Sequence, residues 1–279
     1  MQDNGLVTLS QIIYDFCGLR FADRLPTLRE KVSKRLTELG ISHMEYCQYL
    51  KRSPREWDVL IELLTINETY FYREENQLNE CCSYVLSLVK RKTRNRPIRI
   101  WSAACSSGEE PYTLAMLIQE TGKFLPGSVE IVATDINKKV LRKAETGWYH
   151  HGSFAFRRTP ENLLKKYFTD IDGGYQINAS IRKMIKFQYL NLLEHDKVSQ
   201  LAEVDIIFCR NVLIYFDQET TKRVIRSLHQ NLAVGGYLFL GHAESITDMT
   251  LGFKKVDSDK TFYYRKESDR DETVQSISG

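Results

Sequence analysis

The stretch Ile98–Tyr112, IRIWSAACSSGEEPY, decides how the rest of the chain is read. A short apolar run (Ile98, Ile100, Trp101) gives way to small residues from Ala103 to Gly108. Glu109, Glu110 and Pro111 follow, and apolar positions recur from Tyr112 to Ile118. Strand, tight loop and helix in that order lay a nucleotide-like ligand against backbone at the mouth of an α/β sheet. The loop has one glycine, Gly108, and sets two carboxylates where a phosphate cradle would present amides and a cation. Carboxylates repel a pyrophosphate but suit a ligand that is cationic and carries an α-amino group. S-adenosylmethionine, a sulfonium amino acid joined to adenosine, meets both conditions and is the expected cofactor.

Strand and helix alternate beyond this segment. Val129–Thr134 reads as a strand ending at Asp135, and Lys138–Glu145 as a helix. Residues 146–186 break the rhythm: Gly173-Gly174 separates the short segments Leu163–Phe168, Tyr175–Ile177 and Met184–Phe187, as in a small β-rich insertion. Strands are then expected at Phe187–Leu190 and Val204–Cys209, and a helix over Glu219–Leu232. Gly235-Gly236 precedes a strand at Tyr237–Gly241, and Phe262–Arg265 reads as a last edge strand before a polar, disordered tail, 266–279. Upstream, residues 1–85 read as helical. Pro26 opens a helix whose Leu28, Val32, Leu36 and Leu39 follow the helical period, and Gly40 closes it. Ser42–Leu50, Pro54–Leu64 and Asn76–Lys92 read as further helices. The charged run KRKTRNR marks a linker, 86–97, to a sheet domain spanning 98–265.

With 279 residues, 42% of them hydrophobic, the chain can build a large core. A formal charge of +3 gives no argument for nucleic acid. No apolar run approaches the ~20 residues that span a bilayer, and MQDNGLVTLSQ has no signal core. A cytoplasmic protein without membrane insertion is expected. The six cysteines form no CxxC and no framework spacing, so reduced thiols and no metal site are expected.

In a doubly wound sheet the ligand sits beyond the carboxyl ends of the strands. Four apolar runs end there in polar groups: Ala104–Glu110, Asp135, Asn191 with Leu192, and Arg210, Asn211 and Val212. The Asp135 carboxylate suits a ribose diol, since it accepts two hydroxyl hydrogen bonds. Asn191 and Asn211 either meet adenine edges or fix turns. Ahead of the sheet, INETYFYR (66–73) sets Asn67, Thr69 and Arg73 among aromatics, the composition of an aromatic hinge with a stacked or paired arginine. Arg29, Lys31, Lys34 and Arg35 make one basic helix face, which by pattern alone is a solvated surface.

Together NETYFYRE, WSAACSSGEEPYTLAM, ATDI and FCRNVLIYF resemble the chemotaxis receptor methyltransferases, the CheR family, in order across residues 10–265. The resemblance implies a Rossmann-like S-adenosylmethionine methyltransferase sheet with an inserted small β-subdomain and an N-terminal all-helical domain. It implies methylation of receptor glutamates to glutamyl methyl esters, leaving S-adenosylhomocysteine. Asn67, Thr69, Arg73, Glu110, Asp135, Asn191, Leu192, Asn211 and Val212 match the family's cofactor contacts, and Arg73 and Tyr215 match residues near the transferred methyl. The basic face of Arg29, Lys31, Lys34 and Arg35 becomes a partner surface for the receptors' cytoplasmic methylation helices. Some members bind a receptor C-terminal pentapeptide through a loop of the β-subdomain; the short turn Asp170–Tyr175 implies independence from it.

The implied reaction needs no general base, because a glutamate with a pKa of about 4.3 is already ionised at neutral pH. None of the six histidines lies in the motifs nearest the methyl. Arg73 holds either the substrate carboxylate or the cofactor's own; Tyr215 either donates to the acceptor or walls the pocket. An amino-nitrogen methyltransferase would carry Asn/Asp-Pro-Pro-Tyr/Phe after the fourth strand, and RNVLIYF has no proline. A module that binds the cofactor without transferring a methyl is disfavoured by the intact motifs.

Overall fold

The computed structural model describes residues 3–92, 96–246 and 252–267. Four helices come first: α1 (Asn4–Cys17), α2 (Leu25–Leu39), α3 (His43–Arg52) and α4 (Pro54–Leu64). Their ends follow local chemistry. Asp3 accepts the Leu6 amide ahead of α1, Gly18 and Gly40 close α1 and α2 in the left-handed region, and Ser42 with Glu45 forms a capping box on α3. The apolar stripes meet in one core in which Leu9, Ile13, Leu28, Val32 and Leu60 are fully buried. Each such side chain contributes about 1.5–3 kcal/mol.

One member of the expected basic face belongs to this core. Arg35 donates from Nε and Nη2 to the Glu56 carboxylate at 2.8 and 2.7 Å, and Tyr46 donates to the same carboxylate at 2.9 Å. Glu56 is buried, so Arg35 pins α2 to α4. Lys34 and Arg29 remain exposed.

The next helical stretch is α5 (Glu75–Glu80), a π turn over Cys81–Val85, and α6 (Leu86–Lys92). Its stripe of Leu78, Cys81, Val85, Leu86 and Val89 packs into the core of the sheet, separate from that of α1–α4. The hydrophobic division therefore falls near residue 65 and not at 85. Leu86–Lys92, set within the linker although its pattern reads as helical, is helix.

The sheet begins with β1 (Ile98–Ala103), α7 (Glu109–Glu120), β2 (Val129–Asp135) and α8 (Lys138–Thr146). The insertion follows: β3 (Trp148–His150), α9 (Glu161–Tyr167), β4 (Phe168–Ile171), β5 (Gly174–Ile177) and α10 (Ala179–Arg182). The chain then forms β6 (Ile185–Tyr189), α11 (His195–Ser199), β7 (Val204–Cys209), α12 (Gln218–Asn231), β8 (Leu232–Leu240), β9 (Phe253–Asp257) and β10 (Phe262–Lys266). Seven strands make the main sheet in the order β6-β2-β1-β7-β8-β10-β9, and β3-β5-β4 make a separate antiparallel sheet. All main-sheet pairs are parallel except those of β10 with β8 and β9. The chain leaves β1 toward β2 on one side and returns as β7 on the other. That is a topological switch point, with a crevice outside the carboxyl ends of β1 and β7.

Two expectations at the far edge are corrected. Residues Phe262–Arg265 lie in β10, which sits between β8 and β9, so β9 is the edge strand. Its exposed Lys254 and Lys255 hide the strand in the sequence while suiting an edge that resists further pairing. Gly235-Gly236 does not precede β8 but lies inside it, opposite a register shift between Val204 and Ile206. Of the expected tail, residues 268–279 lie outside the described residues. Among the described residues no helix is long and apolar enough to cross a membrane.

The Arg35–Glu56 pair predicts a contrast between neighbours. Arg35→Ala leaves a buried carboxylate unpaired and lowers unfolding stability by about 3 kcal/mol, whereas Lys34→Ala changes it by less than about 0.5 kcal/mol. Urea unfolding followed by circular dichroism distinguishes the two.

Candidate active site

A single cavity opens at the switch point, between the carboxyl ends of the strands and the α1–α2 corner of the helical domain. Asn67, Thr69, Arg73, Glu110, Asp135, Asn191, Leu192, Asn211, Val212 and Tyr215 all line it. The structure thus gathers around one space ten residues that are scattered over 149 positions of sequence, from 67 to 215. Of the four basic residues of α2, only Lys31 reaches it; Arg29, Lys34 and Arg35 do not.

The loop after β1 is shaped by two tight constraints. Gly108 has φ +93°, and a Cβ there would stand 2.8 Å from the Ala144 Cβ of α8, so only glycine allows α7 and α8 to approach. Ser106, at φ +51°, turns its amide toward the next strand and donates to Asp135 Oδ2 at 2.8 Å. The Asn137 amide donates to Oδ1 at the same distance. Each carboxylate oxygen of Asp135 keeps lone-pair capacity toward the cavity. Burial pushes its pKa up to about 6, against the two amides, which lower it.

The two loop acids separate. Glu110 stays on the cavity wall, where it accepts from Ser102 Oγ and from Arg210 Nε, both at 2.7 Å. Glu109 does not join the site. It turns under α7, where the Ser107 hydroxyl donates to it, and burial raises its pKa. The rim therefore carries one acid of the expected pair, already balanced by a guanidinium.

That guanidinium is the residue whose role the sequence left unread. The Arg210 side chain is 2% exposed and also donates to Gln77 Oε1 at 3.0 Å and to the Arg73 carbonyl at 2.8 Å. It holds a strained segment, for Tyr72 and Glu74, on either side of Arg73, have φ of +64° and +53°. Asn211, at φ +56°, donates from Nδ2 to Glu74 Oε1 at 3.1 Å. Non-glycine residues with positive φ are Tyr72, Glu74, Ala104, Ser106, Asp172 and Asn211 among the described residues. Ala104, Ser106 and Asn211 line this cavity and Tyr72 and Glu74 flank Arg73, the clustering found where a fold over-determines its backbone.

The INETYFYR segment serves both the hinge and the site. Phe71 points away and packs against Tyr149, Phe156 and Phe168 of the insertion. Arg73 faces the cavity, donates from Nη1 to the Glu68 carbonyl at 2.6 Å and lies 5.7 Å from the centre of the Tyr70 ring. Asn191 donates to the Phe16 carbonyl at 2.6 Å and accepts from the Leu193 amide at 3.0 Å. Its amide thus ties α1 to the loop after β6 while the residue stays on the cavity wall.

Residues 67–262 match the family described as CheR methyltransferase, SAM binding domain, and residues 4–65 match CheR methyltransferase, all-alpha domain. The chain belongs to the CheR methyltransferase family. It is 39% identical over 225 residues to chemotaxis protein methyltransferase 2 of Vibrio cholerae, covering 79% of this chain and 77% of that one. With the chemotaxis protein methyltransferase of Vibrio parahaemolyticus it shares 36% identity over 273 residues, 95% of this chain and 98% of the other. The Escherichia coli chemotaxis protein methyltransferase is 33% identical over 261 residues, 91% and 88% of the two chains.

The family's cofactor is S-adenosylmethionine, and the cavity suits it: a buried acid beside the strand ends, an acid near the α7 N-terminus, and apolar wall from Ile136, Leu192 and Val212. The Asp135 environment fixes a pH dependence. One unit below a pKa of about 6, roughly a tenth of the free carboxyl is ionised. With Asp135 expected to accept the ligand's ribose hydroxyls, affinity for S-adenosylhomocysteine is expected to fall by about tenfold between pH 7.5 and pH 5. Asp135→Asn weakens binding at pH 7.5 and flattens that dependence, as read by calorimetry at each pH.

Removing Arg210 tests the clamp. Arg210→Met leaves Glu110 and Gln77 without their partner and lowers stability by about 3–5 kcal/mol, measured by urea unfolding.

Proposed function

We propose that this chain transfers a methyl group to glutamate side chains of chemotaxis receptors, making it a protein-glutamate O-methyltransferase of the cytoplasm. The observation that carries the reading is the composition of the cavity wall. Arg20 and Arg24 from the α1–α2 corner, Lys31 from α2, and Arg73 all line it, and no histidine is among its described lining residues. Of the acids on the wall, Glu68 pairs with Arg157, Glu110 with Arg210, and Asp135 is held by amides; of the cations, Arg20 pairs with Asp23. The mouth is left with a positive excess.

Among the described wall residues no histidine stands ready as a base, and both cysteines are held protonated. Burial raises the Cys17 thiol to about 12 and pushes Cys105 well above its ordinary value. Both carboxylates beside the strand ends are committed to amides or to Arg210. An acceptor that arrives ionised suits such a wall, and a glutamate does so at neutral pH. Bound S-adenosylmethionine supplies the electrophilic methyl. Asp135 would hold the ribose, Glu110 the α-amino end, and Asn67, Thr69, Leu192, Asn211 and Val212 the remaining faces. Arg73 and Tyr215 would orient the acceptor carboxylate, and the helical domain would cover the cleft and exclude water.

The partner surface in this reading is the cationic mouth with the exposed part of α2, namely Arg29, Lys31 and Lys34. Arg35 acts through the fold. The β4–β5 connection is a two-residue turn, Asp172-Gly173, with both φ positive. So short a loop supports independence from a receptor C-terminal peptide.

The test is transfer of a labelled methyl from S-adenosylmethionine to a receptor cytoplasmic fragment. Base-labile label that disappears when the acceptor glutamates are changed to alanine is the expected result. Label on RNA or on a small molecule instead overturns the reading. Arg24→Glu is expected to raise KM for the fragment about tenfold while leaving affinity for S-adenosylhomocysteine within twofold, since one reversed charge at a partly exposed mouth acts on encounter more than on the cofactor.

A further inference from the structure

Glu244 lies beyond β8, outside the ten residues of the site, and does not line the cavity. Yet it is buried, and its carboxylate is saturated by backbone amides. Oε1 accepts from Val212 at 2.8 Å, Leu213 at 2.7 Å and Ile214 at 3.4 Å; Oε2 accepts from Asn211 at 2.8 Å and Gly241 at 2.7 Å. Four consecutive amides thus converge on one side chain just where β7 has ended and no strand partner is at hand. Such concavities of N–H groups bind anions, and here the anion is built in.

The approach is close. A Cβ on Gly241 would stand 2.5 Å from Asn211 Nδ2 and 2.8 Å from Glu244 Oε2, so the segment after β8 and the segment after β7 touch through that glycine. The amides held by Glu244 belong to the turn that carries Asn211 and Val212 on the cavity wall and leads directly into Tyr215. Asn211 sits at φ +56°, a conformation an L-residue keeps only when its surroundings impose it. Five charge-assisted bonds to one carboxylate are a sufficient cause.

We propose that Glu244 is a positioning residue for methyl transfer: its carboxylate fixes the Asn211–Tyr215 turn, and through it the wall against which cofactor and acceptor are aligned. The proposal rests on the function read above for this cavity. Glu244→Gln keeps the shape but turns an NH2 group toward amides that need an acceptor. The expected result is a kcat lower by about 30-fold or more, with a smaller rise in KM for S-adenosylmethionine, at a temperature where circular dichroism shows the variant folded. Amide hydrogen exchange at 211–214 should quicken in the same variant while that of β1 and β2 stays protected.

Asp205→Asn is the control for a structural effect alone, because it disturbs the pair of half-buried Arg96 with buried Asp205 at the opposite end of β7. It should lower Tm and leave kcat within twofold. Should Glu244→Gln fail to fold, Gly241→Ala takes its place, pressing on the same two groups, with the same kinetics and exchange expected. Folded Glu244→Gln with unchanged kcat and unchanged exchange at 211–214 overturns the proposal, as does a kcat loss no larger than that of Asp205→Asn at equal Tm. Wild-type protein that neither binds S-adenosylhomocysteine nor methylates any receptor fragment overturns the functional reading, while faster exchange at 211–214 in Glu244→Gln still leaves the loop-fixing role of Glu244 standing.

Discussion

The arrangement turns on a buried cation at the end of a central strand. Arg210 leaves β7 where the sheet would otherwise expose its rim, and its guanidinium reaches the first turn of α7 through Glu110, the start of α5 through Gln77, and the segment just ahead of α5 through the Arg73 carbonyl. An uncompensated guanidinium in that position would cost several kcal/mol. Its partners are therefore obliged to stay, and they are the pieces that form the cofactor side of the cavity. One charge buried for structural reasons dictates where Glu110 and Arg73 stand.

A second set of contacts decides what the cavity can admit. Asn191 ties α1 to the loop after β6, Tyr14 donates to Asp217 at the head of α12, and Lys138 and Lys139 of α8 pair with Asp58 and Glu62 of α4. These polar bridges seat the helical domain over the strand ends and bring Arg20, Arg24 and Lys31 to the mouth. Most are partly exposed, and exposed pairs are individually worth about 0–1 kcal/mol. The helical domain is thus held by many weak links, whereas the floor beneath it is held by buried ones. On the floor Glu110 is paired with Arg210 and Asp135 is held by amides; at the mouth Arg20 pairs with Asp23, and Arg24 and Lys31 donate to carbonyl oxygens.

Much of this was legible in the chain because it rests on local chemistry. The strands β1, β2 and β7, Gly40 after α2, the Pro54 start of α4 and the polar residues that end each strand follow from periodicity and helix-end chemistry. What escaped were long-range pairings. Glu109 and Glu110 look alike in sequence, yet helix geometry points one into Ser107 and the other toward Arg210. Arg35 reads as one more cation on an amphipathic helix until Glu56, 21 positions later, is seen beside it. The β9 edge has two lysines and no alternation, and the boundary near 65 depended on which core the stripe of α5 and α6 would join. Glu244 gave no signal, since an acid in a loop is ordinarily solvated.

Asp135 shows why a site of this kind cannot be optimised for stability alone. Its pKa in the folded protein is raised to about 6 from an unfolded value near 4, so the fold favours the protonated group. The stabilisation from that preference is complete at low pH and is lost as pH rises through 6, the reverse of a salt-bridged acid. At neutral pH the buried carboxylate is a net burden on the free protein, eased but not cancelled by the Ser106 and Asn137 amides. The same charge is what a ribose diol requires of its acceptor. A diol donating two hydroxyl hydrogen bonds there would offset part of that desolvation. The fold spends rigidity around the strand ends so that these groups are already in place when a ligand arrives.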